Sequence, residues 1–377
     1  MKIASVTAVD LDVGFQRQKL QTTRIASPMS RWPEYAENRA SWMWPTRRTF
    51  VRIDTTEGIT GWGFTNGGEV TALIINRQLG PLIEGLPAND IDDIWERMFH
   101  STLPNNRSGY SMMAISAVDI ALWDIRQKAE GRQLAKLLGQ TEDRTKMDAY
   151  ITTSQPEAAA SLPWWGLKAA MPYSLSDGAV GLESNVAVVQ RFRDAAGPDR
   201  PVMVDAFMAW DADYTIDFAA RAEETNLYWI EDPLPPQDLR GMEKVRAAMD
   251  PAIKMALGNF AFHRWDCETL LRAGVVDILQ PDVCWVGGIT ECRRILEMAA
   301  VAGVKVILHN TCEQPWALSL AAADAKMDVV EHVDRGETSL LYALLGTPAE
   351  FASGQVRLPD TVTGNTPQSQ IETMLVA

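Results

Sequence analysis

Apolar and polar positions follow two different rhythms along this chain. The opening MKIASVTAVDLDV alternates between them, the pattern of a half-buried strand. RTFVRIDTTEGITGWGF reads as a hairpin, two β-prone arms around a polar turn closed by Gly58. Between these lies RIASPMSRWPEYAENRASWMWP, which has no period. A connection that long predicts a lid or a binding loop. SMMAISAVDIALWDIRQKAEGRQLAKLLG then takes up the helical rhythm, with a break at Gly131 and a stop at Gly139.

From about residue 145 the texture changes. Eight short apolar runs appear, MDAYIT, WGLKAA, PVMVDA, LYWIED, IKMALG, VVDILQPD, VKVILHN and DVVEHV. Several of the intervals carry helical periodicity, as in SNVAVVQRFRDAAG, YTIDFAARAEETN, CETLLRAG and ITECRRILEMAAVAG. Strands alternating with helices in this way predict an α/β fold, a closed parallel β/α barrel of the TIM type. A doubly wound open sheet is the competing architecture, but no G-x-G-x-x-G follows the first strands.

The runs end on polar residues: Lys168, Asp205, Glu231, Asn259, Asp282, His309 and Glu331. From Asp205 onward the spacings are 26, 28, 23, 27 and 22 residues, about one β/α unit each. A barrel gathers its C-terminal strand ends around one mouth, so this series predicts a single site.

Composition narrows what such a site can do. The chain has 377 residues, 46% hydrophobic and 22% charged, as in ordinary globular proteins, and fits one large domain beside a smaller one. A net charge of −14 argues against nucleic acid, and it would repel an anionic substrate unless a bound cation reversed the local field. No window approaches the apolar length of a membrane helix, and no signal-peptide core precedes the first strand. A cytoplasmic protein is expected. The four cysteines, Cys267, Cys284, Cys292 and Cys312, lack C-x-x-C spacing and read as buried thiols.

Asp205, Glu231 and Asn259 close three consecutive runs and offer only oxygen, the ligand type a hard cation such as Mg²⁺ takes. The competing readings are acids paired with lysines and an ordinary turn asparagine. Asp282 and His309 close adjacent runs, and an acid beside a histidine fixes its tautomer and raises its basicity, as a general base requires. Glu331 and His332 are strand neighbours, so only one of them faces the mouth. Lys168, across the barrel from the His309 side, is a further catalytic candidate, with a solvated lysine as the competing reading. A cation, a His–Asp pair and a lysine suit proton abstraction beside a carboxylate.

RIASPMSRWPEYAENRAS, AISAVDIALWDIRQKAEGRQLAKLLG, WIEDPLPP and DILQPDVCWVGGITE resemble the enolase superfamily, mandelate racemase subgroup, and within it sugar-acid dehydratases of the rhamnonate type. The resemblance implies a modified TIM barrel, (β/α)7β, over residues 141–340. An α+β N-terminal capping domain would span 1–140 and be completed by 341–377. It implies Mg²⁺ on Asp205, Glu231 and Asn259, the Asp282–His309 pair as acid and base, Glu331 as the mouth-facing residue, and Arg39 as a lid contact to substrate. A protonated Glu331 would add a hydrogen bond to the intermediate. The sequence departs from the family in five places: Asn259 stands where the third ligand is glutamate, Lys168-Ala169-Ala170 keeps one lysine of a K-x-K, Phe207 fills a place polar in several relatives, the segment before the lid is short and lacks a histidine, and LPDTVTGNT replaces a P-G-L-G ending. The expectation is a Mg²⁺-dependent lyase that dehydrates an aldonate to a 2-keto-3-deoxy acid. A racemase, epimerase or cycloisomerase, or a silent sugar-acid binder, are the alternatives. The expected partner is a small acid sugar, with neither nucleic acid nor membrane, and the protein is expected to be a homo-oligomer.

Overall fold

The computed structural model describes residues 1–12, 24–36, 47–141, 144, 146–334, 350–352 and 354–358. Strands β1 (Ile3–Asp12), β2 (Arg47–Thr55) and β3 (Thr60–Asn66) form an antiparallel sheet in the order β1-β2-β3. The β2–β3 hairpin turns at Gly58, whose φ of 80° lies in the left-handed region. The helix Tyr110–Glu130 lies against β3. The approach is so close that a Cβ on Gly63 would fall 1.8 Å from the Ala117 carbonyl oxygen, and one on Gly61 2.2 Å from that of Ala121. The GWG of the sequence is thus a packing requirement, with Trp62 N donating to Asp124 at 2.8 Å between the two glycines.

The eight apolar runs become eight parallel strands: β4 (Lys146–Thr152), β5 (Leu167–Ala170), β6 (Val202–Asp205), β7 (Trp229–Glu231), β8 (Lys254–Leu257), β9 (Ile278–Leu279), β10 (Lys305–Val306) and β11 (Val329–Val333). Each of β4 to β9 pairs with its successor, and β11 returns to pair with β4 in parallel, so the sheet curls round on itself. Helices such as Gly178–Ala196, Ala212–Arg221, Leu239–Ala248 and Arg264–Ala273 separate the strands. The expected capping layer and TIM-like barrel are both present. Two further strands, β12 (Glu350–Ala352) and β13 (Gln355–Arg357), attach antiparallel through β13 to β4.

Inside the curl, Tyr150, Met203, Trp229, Ala256, Ile278, Ile307 and Val329 pack into one cluster separate from the main core. Each comes from a different strand or strand extension. This plug makes the interior a packed core, not a pore.

The two layers are joined by polar contacts as well as by packing. The helix Gly288–Ala302 has no capping side chain of its own. Its first turn is capped from the helix Tyr110–Glu130, where Ser116 Oγ accepts from Gly287 N at 2.8 Å and Asp119 Oδ2 from Thr290 N at 3.0 Å. Burial pushes the Asp119 carboxyl from 3.8 to about 7, although Thr290 pulls the other way. Below pH 4 the group is neutral folded or unfolded. Between pH 4 and 7 unfolding lets it ionise, so its contribution to stability falls, by on the order of 4 kcal/mol in all. Asp119→Asn should flatten this decline: its Tm gains on wild type as pH rises from 4 to 7. Parallel Tm curves for the two proteins would refute the assignment.

Residues 24–36 of the long connection lie on the barrel loop after β5. Ala26 N donates to the Met171 carbonyl at 2.8 Å, and Ser174 Oγ and Ser176 Oγ donate to the Ser30 carbonyl at 2.8 and 2.6 Å. Arg39 lies outside the described residues. All four cysteines are buried thiols. Among the described residues no helix is long and apolar enough to cross a membrane.

Candidate active site

The site follows from the inner plug by strand alternation. Two residues beyond Met203, Trp229, Ile307 and Val329, on the same face, stand Asp205, Glu231, His309 and Glu331. By the same rule Ile278 is followed by Gln280 and Tyr150 by Thr152, residues the sequence reading passed over. The exception is β8, where Ala256 is followed by Gly258. Its φ is 122°, and a Cβ there would meet Leu279 Cδ1 at 3.0 Å and Gln280 N at 3.1 Å. That glycine lets the chain turn so that Asn259, one position out of register, enters the ring.

Asp205 and Glu231 are register partners on β6 and β7. Glu231 is fully buried and takes donors on both oxygens: Asn259 Nδ2 on Oε1 at 3.1 Å, and Lys168 Nζ at 2.7 Å and Gln280 Nε2 at 3.3 Å on Oε2. The Lys168 ammonium also lies 2.6 Å from Glu331 Oε1. Glu331 accepts in addition from Thr152 Oγ1 at 3.0 Å and, through Oε2, from Asn310 N at 2.7 Å. Asn259, Glu231, Lys168 and Glu331 therefore form one hydrogen-bonded chain that ends beside His309.

Two readings left open by the sequence are narrowed here. Lys168 is not a solvated lysine: it is 1% exposed, and although burial pulls its pKa down, Glu231 and Glu331 more than restore it and hold it charged. Glu331 is not a protonated donor. Burial pushes it up, but Lys168, with His309 and the Asn310 N–H, outweighs burial and holds it at about 2. One contact underlies both: the Lys168 ammonium and the Glu331 carboxylate, 2.6 Å apart and buried, hold each other charged.

The Asp282–His309 pair is formed, with Nδ1 of the ring 2.7 Å from Asp282 Oδ2. Burial lowers the imidazole pKa, but Asp282, helped by Glu331, raises it above its usual value against Lys168. The His309 side chain is 17% exposed, and Nε2 is its remaining ring nitrogen. His332, on the opposite face of β11 from Glu331, pairs instead with Glu313 at 2.9 Å and stacks on Trp164.

Backbone strain gathers at this end of the barrel. Phe207, Met208, Asp232 and Asn310 have φ of 48°, 59°, 38° and 51°, values that cost on the order of 1–3 kcal/mol for such residues and cluster at functional sites. Phe207, Phe260, Trp285 and His309 follow one another as ring contacts, with centroids 5.5, 5.7 and 5.1 Å apart.

The donor set fits a hard divalent cation. Among the described residues no three His, Cys, Asp or Glu side chains group as a metal site, so the fit rests on two carboxylates and an amide. Asn259 Oδ1 is buried without a hydrogen-bond donor, as are Asp232 Oδ2 and Gln280 Oε1. Burial raises Glu231 from its ordinary value against Lys168, with Asp205 and Glu331 adding repulsion, and raises Asp232 well above its own. Orphaned acceptors among crowded carboxylates are a site short of positive charge.

Residues 42–139 match the mandelate racemase / muconate lactonizing enzyme N-terminal domain, and residues 164–364 the enolase C-terminal domain-like family. The chain belongs to the mandelate racemase / muconate lactonizing enzyme branch of the enolase superfamily. It is an enzyme of that superfamily. It is 32% identical over 342 residues to the L-rhamnonate dehydratase of Saccharopolyspora erythraea, spanning 89% of this chain and 87% of the relative. The rhamnonate dehydratase of Gibberella zeae, solved with Mg, superposes with a TM-score of 0.90 at 25% identity, over 99% of this chain and 96% of that one. The 3,6-anhydro-D-galactonate cycloisomerase of Zobellia galactanivorans shares the fold, with a TM-score of 0.79 at 23% identity, over 100% and 99% of the two chains.

Proposed function

We propose that this enzyme is a Mg²⁺-dependent hydro-lyase that dehydrates an aldonate to a 2-keto-3-deoxy acid. The observation that carries the reading is the 2.7 Å Asp282–His309 pair on the same barrel end as an oxygen-only set with an orphaned acceptor. The dehydratase relatives support the reaction class.

Asp205, Glu231 and Asn259 would hold the Mg²⁺, Asn259 through Oδ1. Bound there, the cation would neutralise the substrate carboxylate and the charge that builds on it as the C2 proton leaves. His309 moves the protons. Asp282 holds its Nδ1–H, so Nε2 takes the C2 proton or delivers one to the departing C3 hydroxyl. Lys168 is committed at 2.7 and 2.6 Å to two carboxylates and serves as their counter-ion, which disfavours a two-base racemase. Arg39 is proposed as the lid contact to substrate. The enol product of the elimination tautomerises to the keto acid.

The test is a screen of aldonic, aldaric and uronic acids with Mg²⁺ and with EDTA, read as 2-keto-3-deoxy product. A Mg²⁺-dependent product is expected. Epimerised or cyclised product in its place would overturn the dehydratase reading. Asp205→Ala should weaken Mg²⁺ binding by at least about tenfold in calorimetry, and unchanged binding would remove it from the ligand set.

A further inference from the structure

Asp282 is held by more than its histidine. Its carboxylate is 1% exposed and takes Cys284 N on Oδ1 at 2.7 Å and Gln314 Nε2 on both oxygens at 3.1 Å, besides His309. The Gln314 amide cannot turn over freely, because its Oε1 accepts from Trp316 Nε1 at 3.1 Å. Gln314 and Trp316 are both buried, so water cannot replace either. Trp316 in turn packs on Phe64 of β3, with centroids 6.1 Å apart. The next residue of β3, Thr65, donates through Oγ1 to the Cys284 carbonyl at 2.7 Å. Two arms thus run from the antiparallel sheet to the same carboxylate, one through Trp316 and Gln314 and one through Cys284.

We propose that Gln314 is a positioning residue for the Asp282–His309 pair, and that the antiparallel layer sets it through Trp316 and Thr65. The pair carries a net charge of −1 when His309 is neutral and none when it is protonated. A donor on Asp282 stabilises the first state, so its loss raises the proton affinity of the pair as a unit. Lys168 and Glu331 face His309 from the other strands, and the Cys284 and Cys292 thiols face Asp282. Burial pushes both thiols far above neutrality, so they do not titrate with the pair.

The experiment is an NMR titration of His309 in protein labelled with ¹⁵N-histidine, which is tractable because the chain has four histidines. Circular dichroism and Tm confirm that each variant is folded. Gln314→Met should raise the His309 midpoint by about 0.5–1 pH unit and lower kcat by roughly ten- to a hundredfold. KM and Mg²⁺ affinity should stay within about twofold of wild type. Trp316→Phe and Thr65→Val should move the midpoint the same way by less. An unmoved midpoint in folded Gln314→Met overturns the proposal, and so does a midpoint unmoved in both other variants. The kinetic arm rests on the dehydration reading. If wild type dehydrates no acid, that reading fails and the titration still decides this one.

Discussion

His309→Ala loses kcat by at least about 10³-fold while keeping its fold, its Mg²⁺ and its ligand. The fold survives because Asp282 is left with two other donors, Cys284 N and Gln314 Nε2, and so does not become an orphaned buried charge. The hydrogen bonds of Asp205, Glu231 and Asn259 go elsewhere: Asp205 accepts from Phe207 N, and Glu231 from Lys168, Gln280 and Asn259. The variant therefore separates chemistry from binding. Product formation measures the first, and calorimetry with Mg²⁺ and a carboxylate ligand measures the second. A kcat within tenfold of wild type would show that another group moves the proton.

Lys168→Met should be the most destabilising single change at the site. It leaves Glu231 and Glu331, both fully buried, without the ammonium that neutralises them. Breaking a buried ion pair from one side costs about 3–5 kcal/mol, and a Tm lower by roughly 5–15 °C is expected for a chain of this size. Adding Glu331→Gln to Lys168→Met removes one of the stranded charges and should recover part of the loss. Mg²⁺ should recover a further part, since it would neutralise Glu231. A Lys168→Met Tm within a degree or two of wild type would mean that these carboxylates are neutral in the folded protein. The counter-ion role would then fall.

These two residues mark the boundary between what the sequence states and what it leaves open. Strand positions were legible because side-chain alternation and burial are local: an apolar run ending in a polar residue, repeated at β/α spacing, gave every barrel strand. The hairpin, the helix ending at Gly131 and the buried thiols were legible for the same reason. The grouping of Asp205, Glu231, Asn259, Asp282, His309 and Glu331 at one end followed once the fold was a barrel. Gln280 was also within reach. It stands two residues beyond the buried Ile278, in the register that marks Asp205 and Glu231, but an uncharged amide is a weaker chemical signal than Asp282 two places on.

Charge state was not legible. Whether Lys168 is solvated or locked depends on Glu231, 63 residues away, and on Glu331 across the closing strand pair, and no local pattern encodes either contact. Glu331 read alone invited a protonated donor. Only the ammonium at 2.6 Å decides that it is ionised. Gln314 precedes a Pro-initiated helix and carries no periodic signal, and its meaning comes from Asp282, 32 residues away in sequence. The sequence by itself determined the fold class, the strands and which side chains can reach the barrel mouth, because burial and alternation are written residue by residue. The tertiary structure decided which of those side chains are charged, which are held and by what, because electrostatics and hydrogen bonding act through space between strands that the chain order keeps apart.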